Sequence, residues 1–341
     1  MTAPSRILVF ELNWLGDILF SFPLLRALRK ACPEAYIACT VVPRYVDLLV
    51  NNPWINYVHA LSDTNRLTSL GEKMAFIRMI RREGYDTCFL LKPSRTKALM
   101  ASLAGISQRI GFAGKGGALT RVVDRPDDGI HRADQLLALA GAVGITEADG
   151  TYEYFLSDED AERAGEILHE VGGGLRRMVA LNPGGNWIAK RWPREYFEKV
   201  ASSLLERFSD LEVMVTGAGK DRDLAEQIVR NVGGDRCYSV AGRTGLNELA
   251  ALFGKCELVI SADSGPLHLA SATGVTTVGI YGPTSAKITG PRGRGRNIVL
   301  AKHVDCDIPC YVKECCRDYE CMKKVKPEEV FEVSAGILSG K

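Results

Sequence analysis

The sequence predicts an α/β protein of two similar units, each organised on a parallel sheet, and three observations carry that expectation. Short β-branched runs alternate with longer helical patterns, the order a parallel sheet requires. The alternation pauses at three consecutive glycines, Gly172, Gly173 and Gly174, and restarts beyond them. With 341 residues the chain also exceeds one domain of ordinary size, about 150 residues.

Taken in order, a strand is expected over 7–10, feeding a helix over 18–30. A second strand over 37–42 leads to helical residues 45–50, and a third over 87–91 to a helix over 98–104. A charged helical stretch at 158–170 runs into the glycine tract, where the hinge is placed. This gives domains over 1–171 and 175–325, with a closing helix in 326–341. Past the hinge, strands are expected over 178–181, 213–216, 258–261 and 277–281, with helices over 224–232, 246–253 and 267–273. The last helix, 327–338, starts no new unit, and the sequence does not assign it to either one.

Composition excludes several classes. Apolar residues make up 46% and charged residues 25%, the balance of a soluble globular chain and not of a disordered or fibrous one. The apolar run 7–10 is closed by Glu11 after four residues, too short for the core of a signal peptide, and no 18 apolar residues run together. A cytoplasmic location is therefore expected, with any membrane contact peripheral. Net charge is only +2, yet residues 76–125 carry ten Lys or Arg against Glu83, Asp86 and Asp124, and residues 287–326 carry ten against five acidic. Such runs suit an anionic partner, although solvated surface explains most of them.

Four segments suggest chemistry. Gly16-Asp17 lies in the turn after the first strand, where open α/β sheets place ligands. Asp17 is there either a general base or the N-cap of the following helix. Leu181-Asn182-Pro183-Gly184-Gly185-Asn186 runs from a strand into a glycine-rich loop that lets backbone N–H groups approach phosphate, and Lys190 follows with a positive charge. Asp263-Ser264-Gly265 joins the 258–262 strand to a helix opened by Pro266. The unpaired N–H groups of that first turn, with about half a positive charge, suit a diphosphate, and His268 stands in the same turn. On the other reading Asp263 or Ser264 is a cap and His268 a satisfied core residue. Fourth, Gly217 and Asp221 follow the 213–216 strand, where Asp221 would accept hydrogen bonds from ribose hydroxyls, without the spacing of a dinucleotide fingerprint or a P-loop.

Ten cysteines divide unevenly, with Cys306, Cys310, Cys315, Cys316 and Cys321 packed together. In a cytosolic chain such a cluster is metal-binding or redox-labile more readily than a disulfide framework. Its spacing fits no standard zinc pattern, and metal, disulfide and no special role all stay open.

These segments, in this order, resemble the ADP-heptose:lipopolysaccharide heptosyltransferases of glycosyltransferase family 9. GDILFSFPLLRALR, LNPGGNWIAKRWP, AGRTGLNELAALFGKCELVISADSGPLHLASATG and YGPTS carry the resemblance, which extends over nearly the whole chain. It implies a GT-B fold, α/β with two Rossmann-like domains facing a cleft, acceptor on the first and nucleotide sugar on the second. It further implies an inverting, metal-independent transfer of heptose, with a leaning to the second heptose of the core. Asp17 is then the base. Lys190, Asp263, Ser264, Gly265 and His268 hold the diphosphate, with Gly185, Asn186, Gly217 and Asp221 on the donor side and Asn13, Arg95, Lys97 and Arg121 on the acceptor side. The implied partners are ADP-heptose, the Kdo-lipid A inner core and an anionic inner membrane touched peripherally, with no nucleic acid, cofactor or metal. The alternatives are a non-hydrolysing nucleotide-sugar epimerase of the same fold and a silent sugar-nucleotide-binding scaffold.

Overall fold

A computed structural model describes residues 4–61, 70–114, 117–146, 148–310 and 315–340. The chain forms two compact units, Met1–Tyr152 and Glu153–Lys341. In the first, strands β1 (Arg6–Phe10), β2 (Tyr36–Val41), β3 (Tyr57–Ala60), β4 (Thr87–Leu90), β5 (Gln108–Phe112) and β6 (Arg121–Val123) form one sheet in the order β3-β2-β1-β4-β5-β6. Its helices are α1 (Leu15–Ala31), α2 (Asp47–Val50), α3 (Leu70–Glu83), α4 (Arg95–Leu103) and α5 (Arg132–Leu137). Among the described residues its strands pair in parallel throughout. Strands covered on both faces read as unbroken apolar runs, and Ile7, Leu8, Val9 and Phe10 of β1 are all buried.

The second unit repeats the plan. Strands β7 (Arg177–Asn182), β8 (Leu211–Val215), β9 (Cys237–Ser239), β10 (Leu258–Ala262), β11 (Thr276–Tyr281) and β12 (Asn297–Ala301) pair in parallel in the order β12-β11-β10-β7-β8-β9. Helices α6 (Asp158–Glu170), α7 (Arg194–Arg207), α8 (Arg222–Val232), α9 (Leu246–Gly254), α10 (Gly265–Ala272), α11 (Ala286–Thr289), α12 (Glu320–Lys324) and α13 (Pro327–Leu338) accompany it.

Numbered within each unit, both sheets run 3-2-1-4-5-6, the doubly wound Rossmann order. The strand order reverses between the first and fourth strands, and ligands bind at the carboxyl ends there. The switch points are therefore β1/β4 in the first unit and β7/β10 in the second.

The division between units falls at Tyr152, about twenty residues before the glycine tract expected to be the hinge. The reason is α6. Its apolar stripe, Ala164, Ile167 and Leu168, is buried, and the helix lies against α9 of the second unit. Tyr154 reinforces the attachment through N–H to the Ala272 carbonyl at 2.8 Å and O–H to Asn247 Oδ1 at 2.5 Å. The closing helix α13 also belongs to the second unit, where Val330 and Leu338 join the core around α7. No helix among the described residues is long and apolar enough to cross a membrane.

Candidate functional site

In the second unit, three adjacent strand ends build one polar cluster. β7 ends at Asn182, which is 1% exposed and hydrogen-bonds in two directions. Its amide nitrogen donates to Ser261 Oγ at 3.2 Å and Ser264 Oγ at 3.4 Å, and its carbonyl oxygen accepts from Thr216 Oγ1 at 3.2 Å. The ends of β8, β7 and β10 are thus tied together across the switch point.

Asp263 follows β10 directly. Its N–H donates to the Ile280 carbonyl of β11 at 3.0 Å, fixing the backbone, and its carboxylate is buried. Lys190 Nζ reaches Oδ2 at 2.6 Å, Thr284 Oγ1 donates to the same oxygen at 2.5 Å, and His268 Nε2 lies 3.5 Å from Oδ1. Burial alone would raise this acid's pKa. The His268 hydrogen bond and the Lys190 charge outweigh it and hold the group well below the usual carboxylate range. An ionised carboxylate so engaged holds cations in place; it is not itself a surface for phosphate.

Ser264 takes the N-cap position of α10 with no side-chain capping bond, because its hydroxyl is turned to Ser261 at 3.1 Å and to Asn182. The capping reading of this loop therefore fails. Pro266 lacks an N–H and the Leu267 N–H turns back to the Ser264 carbonyl at 3.1 Å, so the Gly265 N–H stands at the helix mouth.

The glycine-rich loop and the loop after β8 meet beside this cluster. The Gly185 carbonyl accepts from Arg191 Nε at 3.0 Å and Nη2 at 2.7 Å, and Lys220 Nζ donates to Asn186 Oδ1. Asp221 is buried between them, accepting from the Ala218 N–H at 3.2 Å with Arg191 Nη2 3.6 Å away. Glycines make room for it: a Cβ on Gly184 would stand 2.7 Å from the Asp221 carboxyl, and one on Gly217 2.9 Å from Asp221 Cβ. The geometry makes Asp221 a brace of two loops; from sequence it was expected to accept hydrogen bonds from ribose hydroxyls.

In the first unit, Asp17 is half-buried in the first turn of α1. The N-cap of that helix is Trp14, which has no capping bond, so the reading of Asp17 as a cap does not hold. Asn13 precedes it, its carbonyl accepting from Arg44 Nη2 at 3.1 Å. Arg95 and Lys97 open α4 beyond β4, the switch-point neighbour of β1, and Lys97 Nζ donates to the Glu11 carbonyl at 3.3 Å. Arg121 is not with them: it opens β6 at its amino end, two strands from β4.

Sequence reasoning missed Asn182, Thr216, Ser261 and Thr284 as site residues, and it missed Glu11. That carboxyl is 1% exposed at the end of β1, accepting from Ser21 Oγ at 3.0 Å with Cys39 Sγ 3.9 Å away. Burial pushes its pKa up to about 7 against the lowering by Ser21, Leu12, Lys97 and Cys39. The signal was present: a Glu closing the apolar run 7–10.

Among the described residues no group of three or more His, Cys, Asp or Glu is arranged to hold a metal ion. Cys306 and Cys316 are exposed, and Cys310, Cys315 and Cys321 are half-buried.

Comparison with known proteins adds to this geometry. The pattern of glycosyltransferase family 9 (heptosyltransferase) matches residues 73–319. Lipopolysaccharide heptosyltransferase 2 of Escherichia coli is 26% identical over 322 residues, covering 86% of this chain and 87% of that one. Lipooligosaccharide heptosyltransferase 2 of Haemophilus ducreyi is 26% identical over 309 residues, covering 86% and 88%. Among solved structures, E. coli ADP-heptose lipopolysaccharide heptosyltransferase II superposes with a TM-score of 0.82 at 24% identity, covering 98% of this chain and 99% of that one.

Proposed function

Because the chain belongs to glycosyltransferase family 9, the heptosyltransferases, we propose that it moves a heptose from ADP-heptose to the inner core of lipopolysaccharide, adding the second heptose. The observation that carries the reading is the Lys190 ammonium, held 2.6 Å from buried Asp263 beside His268 and the uncapped mouth of α10. A cation, a polarised helix end and a histidine converge where a Rossmann unit receives its ligand, the electrostatics a departing diphosphate needs. The relatives named for heptose transfer, and a solved E. coli heptosyltransferase bound to ADP with a TM-score of 0.73 at 15% identity over 97% of this chain and 99% of that one, accord with it.

In this reading Asp17 takes the proton of an acceptor hydroxyl as that oxygen bonds to the anomeric carbon. The bond from that carbon to the β-phosphate oxygen breaks on the opposite face, and its electron pair leaves with ADP. One displacement inverts the configuration. Lys190, His268 and the α10 N-terminus meet the charge that develops on the diphosphate, so the protein supplies the cations itself. Asp263 and Thr284 position Lys190, and Gly185 and Gly265 present backbone N–H groups. Arg95 and Lys97 favour a phosphorylated, acidic acceptor, and the same basic character suits peripheral contact with the anionic cytoplasmic face of the inner membrane.

The test is transfer from ADP-heptose to defined core acceptors. Asp17→Ala should lose about 10²–10⁴-fold in kcat, the range a positioned base supplies. Near-wild-type turnover by that variant would remove Asp17 from the role, and loss of activity in EDTA would remove metal independence.

A further inference from the structure

Beside Asp17 the structure displays an aromatic and cationic surface that none of the roles above uses. Trp14 is 57% exposed, although it sits one residue before the first turn of α1. An indole has no oxygen to accept from the N2 or N3 N–H, so helix capping does not account for a tryptophan there. Nor does core packing, since more than half of the side chain faces solvent.

Arg44 comes to Trp14 from the neighbouring strand. β2 ends at Val41, and the turn after it carries Arg44 and Tyr45. The guanidinium carbon lies 6.0 Å from the Trp14 ring centroid and 4.9 Å from that of Tyr45, while Nη2 donates to the Asn13 carbonyl at 3.1 Å. One N–H is committed to the backbone and the plane is braced by two rings, which limits the rotamer freedom an exposed arginine otherwise keeps. The arrangement sits at the carboxyl ends of β2 and β1. Lys97 and Arg95 stand at that of β4, on the other side of the β1–α1 turn.

We propose that Trp14, Arg44 and Tyr45 form the seat for an acidic sugar residue of the acceptor, with the Trp14 ring against the C–H face of the sugar and the Arg44 fork on its carboxylate or phosphate. This rests on Asp17 acting at the acceptor hydroxyl, because the seat places the neighbouring sugar within one residue of α1's first turn. A flat ring suits a pyranose face, and a planar guanidinium is the side chain matched to bidentate recognition of either anion. The seat selects acceptors and leaves the donor untouched.

Two measurements test it in the intact protein. In steady-state transfer, Trp14→Ala and Arg44→Ala should each raise the acceptor KM about tenfold or more, with the KM for ADP-heptose within about twofold, and Trp14→Phe should restore most of the acceptor affinity. Separately, tryptophan emission is titrated with Kdo, its methyl ester, a heptose phosphate and neutral methyl heptoside, comparing wild type with Trp14→Phe. A response to the acidic sugars that Trp14→Phe and Arg44→Ala lose supports the seat. Kdo without heptose phosphate assigns the anion as carboxylate, and the reverse assigns phosphate. Equal response to methyl heptoside, or an unchanged acceptor KM in both alanine variants, overturns it. If wild type transfers to no core acceptor, the functional reading fails, while the emission titration still decides the seat.

Discussion

Glu11 and Asp263 are both carboxyl groups buried at a switch point, and their partners send them in opposite directions. Asp263 gains a lysine, a histidine and a threonine hydroxyl, and stays ionised. Glu11 gains one hydroxyl, the Leu12 N–H, a thiol and the charge of Lys97, whose ammonium donates to the Glu11 backbone carbonyl, and burial outweighs them. The raised value, from 4.5 to about 7, means the unfolded chain gives up this proton more readily than the folded one. The folded state is then unpenalised below the unfolded pKa, loses stability as pH rises from about 4.5 to about 7, and stays at the lower level above that. The loss is roughly 3 kcal/mol. Glu11→Gln keeps the shape and removes the titration. Its stability relative to wild type, from urea unfolding at pH 5 and pH 8, should therefore grow by roughly that amount at the higher pH. A difference that stayed flat across this range would show that Glu11 is not the buried neutral acid described here.

At the scale of elements, the loop after β7 works because two glycines have different neighbours. A Cβ on Gly184 meets the Asp221 carboxyl at 2.7 Å, whereas one on Gly185 meets nothing within 4 Å. Gly184→Ala must push Asp221 off the Ala218 N–H and Arg191, so it should lower Tm by about 4 °C or more, an effect of roughly 1–2 kcal/mol. Gly185→Ala should leave Tm within about 1 °C and, if phosphate approaches the backbone there as proposed, weaken ADP binding about tenfold, because the added methyl would occupy that space. Calorimetry of both variants with ADP separates the effects, and equal Tm values would sink the distinction. The same loop shows what was legible in the sequence. Its glycines, Lys190 and the Asp263 loop were read from local pattern, as were β1, β10 and α10, whose apolar runs and turn residues are contiguous. Asn182, Thr216, Ser261 and Thr284 were not, since their value lies in the sideways order β8-β7-β10-β11 that a linear reading does not supply. Other elements were not anticipated either: β12, half-exposed along its first four residues, and α3, with three buried residues, lack the apolar contrast of β1, β10 and α10, whereas α7, with Phe197, Val200, Ala201, Leu204 and Leu205 buried at helical spacing, carried a pattern that was overlooked.

At the scale of the whole molecule, two units of one topology each carry a buried apolar cluster. One surrounds Leu8, Phe10 and Ile80; the other surrounds Val179, Phe197 and Ile260. The residues proposed for the donor side, from Gly185 to His268, all lie in the second, so that unit should bind ADP alone if it is cut where its packing begins. The boundary at Tyr152 and the glycine tract at 172–174 make different predictions, because α6 lies between them. A fragment starting at Glu153 keeps the Tyr154 bonds to Ala272 and Asn247 and the burial of Ile167 and Leu168. One starting at Gly172 loses about 1.5–3 kcal/mol for each of those two side chains and about 1 kcal/mol for each hydrogen bond, and exposes the apolar surface of α9. That loss is comparable with the whole stability of a domain, about 5–15 kcal/mol. The 153–341 fragment should therefore unfold cooperatively and bind ADP with a Kd within about threefold of the full chain, roughly 0.6 kcal/mol. The 172–341 fragment should fail on both counts by circular dichroism and titration calorimetry. If the shorter fragment folds and binds as well as the longer, α6 is not part of the second unit's core and the hinge returns to the glycines.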